Sequence, residues 1–495
     1  MQSPSLCKKS RTPRPKKCFA DRLSSLPDDI LHRVFFFLDF LDVVRTSVLS
    51  KRWTYVWKSV PYLNFNLDWY LKHNYNNNTF QHSGPHHKFW DFINSSLHLR
   101  DGSQIIKICL YCDNTMTDQL NGLIRVVGWR KVQEFSLLGG DYASDELEFH
   151  RGACETLTAL TLNFYDTIAL RVAAVFSNLR TLSLRGVCIT NDAAKKLFSD
   201  GCGKLEDVNL EDCQIRDIEQ IDISARNLKI LTIVNVCTCE KFWVVGSFDC
   251  MLRISAPNLV SFSFVGPMLL GFVLVDTVSL KNVTIRLMRV PKGYNTKYKN
   301  HVLCPARFVG LNTAKTLTLS SLFVNYFCPT FSDSWAAFIL DNVSHLELEV
   351  RYRASFWEGM INLLRCSPNI EALVIRLKEG RRPHRRSKKE IENRCSWESR
   401  VEDIACLTYN VKFIQVSNLD GSEMALELVK FLLQNGKALQ KMEIMHKSVV
   451  KKRMNLSKLM ALPKASSEVI ISFPEHDQRI IPWFDKGDSD PELCG

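Results

Sequence analysis

The chain contains no apolar run near the ~18 residues a membrane-spanning helix needs, so no transmembrane segment is expected. Its first residues are polar and basic, without the apolar stretch of a secretory leader, so none is expected. Its 17 cysteines are odd in number and lack framework spacing, and many fall inside apolar strand patterns. They read as reduced, buried thiols of an intracellular protein. Signatures of bond chemistry are missing too. Gly201-Cys202-Gly203-Lys204 lacks the earlier Gly and the Ser/Thr of a phosphate-binding loop. There is no Gly-x-Ser-x-Gly elbow for a nucleophile. Cys109 and Cys112 lie three apart in a strand pattern and so face opposite sides. Cys237 and Cys239 share a face, but no second pair completes a zinc site. His82, His86 and His87 have no Cys or carboxylate at ligand spacing and read as a polar loop. No catalytic residue, metal or cofactor is expected.

Positive charge is plentiful but local. The 495 residues carry a net +12, of which 1–22 hold +6 and 376–389 hold +7, leaving the remainder close to neutral. The basicity belongs to a tail and a loop, so a broad nucleic-acid-binding face is not expected. Lys8-Lys9 and Arg14-Pro15-Lys16-Lys17 read equally as a nuclear import signal or a solvated tail. Nucleus, cytoplasm or both are the expected locations.

The densest apolar patterning lies in 22–60. Pro27 suits the first turn of a helix, because it has no N–H to lose there. Asp28 and Asp29 follow, where negative charge complements the helix dipole. Ile30, Leu31, Val34, Phe35 and Leu38 then recur at helical spacing. Two shorter patterns hold Val43, Val44 and Val48, then Trp53, Val56 and Trp57. Helices this short are marginal alone. Two tryptophans and Phe35-Phe36-Phe37 exceed what such a unit can cover internally. Composition leaves two readings open, a helical module completed by a partner or a helical corner packed on the rest of the chain.

Leu26-Pro27-Asp28-Asp29-Ile30-Leu31, then Val43-Val44-Arg45-Thr46-Ser47-Val48-Leu49-Ser50-Lys51-Arg52-Trp53, then Tyr55-Val56-Trp57-Lys58-Ser59-Val60-Pro61, resembles the F-box of the large plant F-box family. The resemblance implies docking on a Skp-type adaptor and, through it, on a cullin ubiquitin ligase. By motif it carries over adaptor-facing roles to Leu26, Pro27, Ile30, Leu31, Val34, Leu38, Val43, Val48, Leu49, Trp53 and Trp57. The Phe35–Phe37 run is bulkier than the family's aliphatic-Ser-Phe.

From about residue 105 the template apolar-x-x-apolar-x-apolar repeats thirteen times, from Ile105/Ile108/Leu110 to Leu439/Met442/Ile444. Most intervals run roughly 21 to 31 residues, near the leucine-rich-repeat period. Ser177-Asn178, Pro257-Asn258 and Pro368-Asn369 mark similar turns before several copies. Each copy reads as a short strand with its apolar residues inward. Stacked, the strands make a parallel concave sheet, with helices or irregular turns on the convex side. Outward positions, with Thr161, Asn163, Ser183, Arg185, Asn209, Glu211 and Thr232 as candidate substrate-binding residues, read as a protein-recognition platform.

Cys406 to Phe473 resembles the FBD region that ends many plant F-box proteins with leucine-rich repeats. Physically it reads as two more repeats and an end cap. Ser422 is a candidate N-cap, Gly436 a stop, and Ala425, Leu428, Val429, Leu432 and Leu433 make one apolar helix face.

The expected fold class is therefore α/β: a three-helix F-box, an irregular leucine-rich-repeat solenoid with its parallel strands concave, and an FBD cap. The expected domains are a disordered basic tail at 1–20, the F-box at 21–65 and a connector at 66–104. The array follows at 105–395 with its basic loop at 376–389, then the FBD region at 396–474 and a polar tail at 475–495. The expected function is that of a non-catalytic, substrate-recognition subunit of an SCF-type (Skp-cullin-F-box) ubiquitin ligase. The alternative is an adaptor-binding scaffold that assembles no active ligase. Expected partners are the adaptor, through it a cullin, and an unknown protein substrate, without membrane or nucleic acid.

Overall fold

A computed structural model describes residues 25–74, 84–112, 117–140, 146–198, 200–216, 220–236, 251–267, 271–288, 308–327, 338–351, 354–378, 404–419, 422–446 and 459–474. The basic tail, the polar tail, Cys237, Cys239 and all of the basic loop beyond Lys378 fall outside these residues. The chain forms two compact units, Met1–Tyr111 and Cys112–Gly495.

The first unit begins with helices α1 Asp28–Phe35, α2 Phe40–Arg45 and α3 Trp53–Val56. Pro27 precedes α1 in extended conformation, with the two aspartates in the first turn as the dipole favours. Asp39 caps α2, its Oδ1 accepting from the Leu41 N–H at 2.9 Å. The Arg52 guanidinium ties the ends of the helical stretch together through the Leu26 carbonyl and the Asp28 carboxylate.

Next come β1 Tyr62–Asn66, α4 Leu67–Asn74, α5 Gly84–His98 and β2 Lys107–Tyr111. The stretch 66–104, expected to be a connector, thus holds two helices. The Asn- and His-rich composition around 72–88 suggested loop. However, Phe89, Trp90, Ile93 and Leu97 bury one face of α5, and Pro85 sits in its first turn, where proline costs nothing. His86 and His87 lie in that same turn. Phe40 meets Phe65 at 5.2 Å, Trp57 at 6.3 Å and Phe92 at 6.4 Å between ring centroids, so α2, α3, β1 and α5 share one aromatic core. β1 pairs in parallel with β2, Leu63 opposite Ile108 and Phe65 opposite Leu110. Val60/Leu63/Phe65 is therefore a further copy of the template, one before the first that was expected.

The second unit runs α6 Thr117–Trp129, β3 Glu134–Leu138, β4 Glu146–Phe149, α7 Arg151–Thr156, β5 Ala159–Val172, β6 Thr181–Ile189 and α8 Asn191–Phe198. It continues with β7 Asp207–Glu211, β8 Gln214–Ile215, β9 Gln220–Ser224, β10 Ile230–Val234, β11 Met251–Ser255, β12 Ser261–Pro267, β13 Gly271–Val275 and β14 Asn282–Met288. Then follow β15 Phe308–Val309, β16 Thr316–Leu319, α9 Ser321–Tyr326, β17 His345–Arg351, α10 Ala354–Arg365 and β18 Ala372–Lys378. It ends with β19 Phe413–Leu419, the helix Glu423–Asn435, β20 Lys441–His446 and β21 Ile470–Ser472.

The template strands of this unit stack in parallel and in register, from β3 against β5 through to β20 against β21. Across both units, all three apolar residues of each of the thirteen expected copies are 2% exposed or less. The FBD region continues this sheet, with Leu428, Val429, Leu432 and Leu433 of its helix buried. Ser422 caps that helix, its Oγ accepting from the Ala425 N–H at 3.3 Å. Gly436 ends it without turning left-handed, at φ −79. The short helix expected at 456–462 lies largely outside the described residues.

Two features hold the repeats at a fixed spacing. The asparagine immediately before a template copy donates its side-chain amide to a carbonyl of the preceding repeat. Asn178 does so to Glu155, Asn258 to Arg226, Asn369 to Asp341 and Asn410 to Pro368, at 2.6–2.9 Å. Asn227 and Asn342 do the same. At the other end of several strands, the residue two past the last template position is left-handed: Gly139, Gly186, Asp212, Asn235 and Asn418. These are the residue types that tolerate positive φ, and they turn the chain out of the sheet.

The convex side differs from expectation in one stretch. β9, β11, β13 and β15 form a second parallel sheet, with Ile221, Leu252 and Phe272 in one row and Ile223, Ile254 and Leu274 in the next. Strands, not helices or irregular turns, back the array there.

Candidate functional site

The helical stretch separates its apolar residues into two sets. Leu31, Val43, Trp53 and Trp57, carried over as adaptor-facing, are buried within the unit. Phe35 lies 5.7 Å from the Trp53 ring, and these side chains hold the helices together. Pro27, Ile30, Val34, Val48 and Leu49 stay exposed, while Leu26 and Leu38 are half-buried. Ile30, Val34 and Phe37 recur at i, i+4 and i+7, one stripe along α1 and the turn after it. Val48, Leu49 and Phe37 are 85%, 65% and 82% exposed. Phe36 and Tyr55 are exposed as well. Large apolar side chains open to water in three adjacent segments mark an interaction surface. Phe36, Phe37 and Tyr55 were not among the expected residues. Beneath this surface, burial pushes the carboxyl of the capping Asp39 up to about 6, against the help of the Leu41 N–H.

On the second unit, Thr161, Ser183, Asn209 and Thr232 lie directly opposite one another on β5, β6, β7 and β10. Asn163, Arg185 and Glu211 form the next outward row. The structure thus brings all seven candidate residues onto one face. It adds Asp212 and Asn235 to them. Arg185 Nε donates to Asp212 Oδ2 at 3.2 Å and Asn235 Nδ2 donates to Asp212 Oδ1 at 3.2 Å. The signal for these two was present in the sequence, an Asp and an Asn at the same offset past consecutive template copies, which calls for a left-handed residue.

Nothing in this geometry is arranged as a nucleophile and base. Among the described residues, no group of three or more His, Cys, Asp or Glu is placed to hold a metal ion. Burial raises the thiols of Cys109, Cys154 and Cys366, and pushes Cys406 up to about 12, far from thiolate chemistry. Cys213, at the closing position of its repeat, is buried with its thiol 3.4 Å from the Leu184 carbonyl. No helix among the described residues is long and apolar enough to cross a membrane.

A helical unit with an exposed apolar face, followed by an open, parallel-strand repeat array, defines the class: an F-box protein with leucine-rich repeats. The family model described as "At1g61320/AtMIF1, LRR domain" matches residues 109–469, and the chain belongs to that family. The F-box domain model matches residues 23–65. Among Arabidopsis thaliana proteins, the chain is 27% identical over 472 residues to F-box/FBD/LRR-repeat protein At5g56420, covering 92% of this chain and 99% of the relative. It is 26% identical over 472 residues to F-box/FBD/LRR-repeat protein At1g78750, covering 90% and 95%. It is 26% identical over 478 residues to F-box/LRR-repeat protein 13, covering 91% and 96%.

Proposed function

We propose that this chain is a non-catalytic, substrate-recognition subunit of an SCF-type ubiquitin ligase. The F-box docks on a Skp-type adaptor, which joins it to a cullin, and the concave face of the array holds the protein to be ubiquitinated. The observation that carries this reading is the exposed apolar set Ile30, Val34, Phe37, Val48, Leu49 and Tyr55 within the matched F-box. Catalysis by such a subunit is positional. Holding a target near a ubiquitin-charged enzyme raises its effective concentration, and this chain breaks no bond.

The test is a pull-down of the full chain by purified adaptor. Val48→Glu with Leu49→Glu places two charges in the interface and abolishes capture. Both side chains point to solvent, so the circular dichroism spectrum stays unchanged. Undiminished capture by the double variant overturns the assignment of this surface. Affinity purification with and without an inhibitor of cullin neddylation then separates the two fates. Co-purifying cullin supports the ligase, whereas adaptor alone, with no protein accumulating on inhibition, supports a scaffold.

A further inference from the structure

The concave face changes chemistry along its length. From Ser136 on β3 to Thr318 on β16 the central outward row carries hydroxyls and one amide, and from Glu347 on β17 it begins to carry charge. The change coincides with a break in the sheet. β16 ends at Leu319 and α9 begins at Ser321, while β14 and β17 run on to Met288 and Arg351. Ser320 plugs part of the gap, its Oγ accepting from the Leu287 N–H at 2.9 Å.

An ion cluster covers the break. Arg286 reaches across it to the Glu349 carboxylate at 3.6 Å, and Lys378 Nζ lies 3.2 Å from the other oxygen. Arg376 pairs with Glu347, and Arg351 Nε donates to Ser321 Oγ at 3.3 Å. Glu349 is only 4% exposed. A carboxylate that deep is tolerable only with cations against it, so it fixes the positions of Arg286 and Lys378. The Arg286, Arg376 and Lys378 side chains nevertheless keep 33%, 31% and 36% of their surface open. Four cations stand against two carboxylates here. The excess is positive, held in place, and turned toward the concave solvent.

We propose that the ends of β14, β17 and β18 bind an acidic segment of the target protein, its carboxylate or phosphate groups taken by Arg286, Arg351, Arg376 and Lys378. The inference rests on the reading of the array as the target-binding face and names the chemistry of the target. Charge complementarity selects the occupant, and guanidinium forks suit two-oxygen anions. β14 to β18 spans three strand spacings, about 14 Å, or roughly four residues of an extended peptide. Glu347 competes with the ligand for Arg376, so removing its charge strengthens binding.

The test uses the full chain and fluorescence anisotropy with three labelled decapeptides, one of Gly and Ser, one rich in Glu, and one carrying phosphoserine. The Glu or the phosphoserine peptide binds at least about tenfold tighter than the Gly/Ser peptide, and the tighter of the two names the source of the anion. Arg376→Gln weakens that binding about fivefold or more, and rising salt weakens it further. Glu347→Gln strengthens it, a gain that a misfolded variant cannot give. Equal binding of all three peptides, or no change in either variant, overturns the inference. Adaptor capture on the same samples keeps the two readings apart. Lost acidic selectivity with adaptor capture intact sinks only this inference, and selectivity without adaptor capture supports it while sinking the ligase reading.

Discussion

Ending the chain before Ser422 removes the helix Glu423–Asn435, β20 and β21. The helix contributes Leu428, Val429, Leu432 and Leu433, all fully buried. At about 1.5–3 kcal/mol for each buried aliphatic side chain, the four account for roughly 6–12 kcal/mol. That equals most of the ~5–15 kcal/mol by which a domain is usually stable. The same cut strips β20 from β19, so Ile414, Val416 and Leu419, now wholly buried, lie along an unpaired edge. Edges of this kind template aggregation. The truncated protein therefore elutes in the void volume of a gel-filtration column, or binds a hydrophobic dye that the full chain does not bind. Its F-box unit remains able to capture adaptor in whatever fraction stays soluble. A soluble monomer that unfolds in one cooperative step refutes the reasoning. It means that the region after Ser422 is a separate domain rather than the end of the array.

Two glycines of α6 give opposite outcomes under the same substitution. A Cβ on Gly122 meets nothing within 4 Å, so Gly122→Ala gains about 0.5–1 kcal/mol of helix stability and raises the thermal midpoint. A Cβ on Gly128 stands 2.7 Å from the Ala153 backbone nitrogen on α7, so Gly128→Ala costs about 1–3 kcal/mol and lowers the midpoint. Equal midpoints deny the close approach of these helices. Asp39→Asn keeps the α2 cap and removes a carboxyl whose folded pKa, raised by burial, is about 6 rather than 3.8. Between those values the folded form binds more protons than the unfolded, so the group's contribution to stability falls as pH rises from about 4 to 6. The substitution therefore slows hydrogen exchange in α2 at pH 7.5, by about 1 kcal/mol once partial solvation is allowed for, and changes little at pH 4.5. An equal effect at both pH values contradicts the assignment.

The inner positions of the array were legible because burial on one side of a strand leaves a period-two mark in the sequence. Leu157, Leu160 and Leu162 are one instance, repeated thirteen times. The same pattern at Val60, Leu63 and Phe65 escaped notice because Pro61 inside it looked like the start of a connector. Ile221 and Ile223, or Leu252 and Ile254, alternate just as clearly. They are only two apolar residues long, too short to tell a convex strand from a turn. In the F-box the limit is of another kind. Trp53 and Val48 are equally apolar, yet one lies in the core and the other faces water. Sequence marks a residue as shunning water and does not say whether its own chain or another covers it. On the concave face the row of Thr161, Ser183 and Asn209 followed from the repeat. The cluster around Glu349 did not, because it depends on β16 stopping short between two longer strands.

The asparagine rungs separate two quantities that most folds keep coupled. Each rung reaches back one repeat in space, but the number of residues it bridges runs from 23 between Asn178 and Glu155 to 42 between Asn410 and Pro368. The step of the stack stays the same whatever length of chain is looped out between rungs. New material can therefore be spliced into the outer side of a repeat without displacing a single residue of the inner rows. A designer could graft loops there, and a lineage could acquire them, while the surface that meets a target is varied one position at a time.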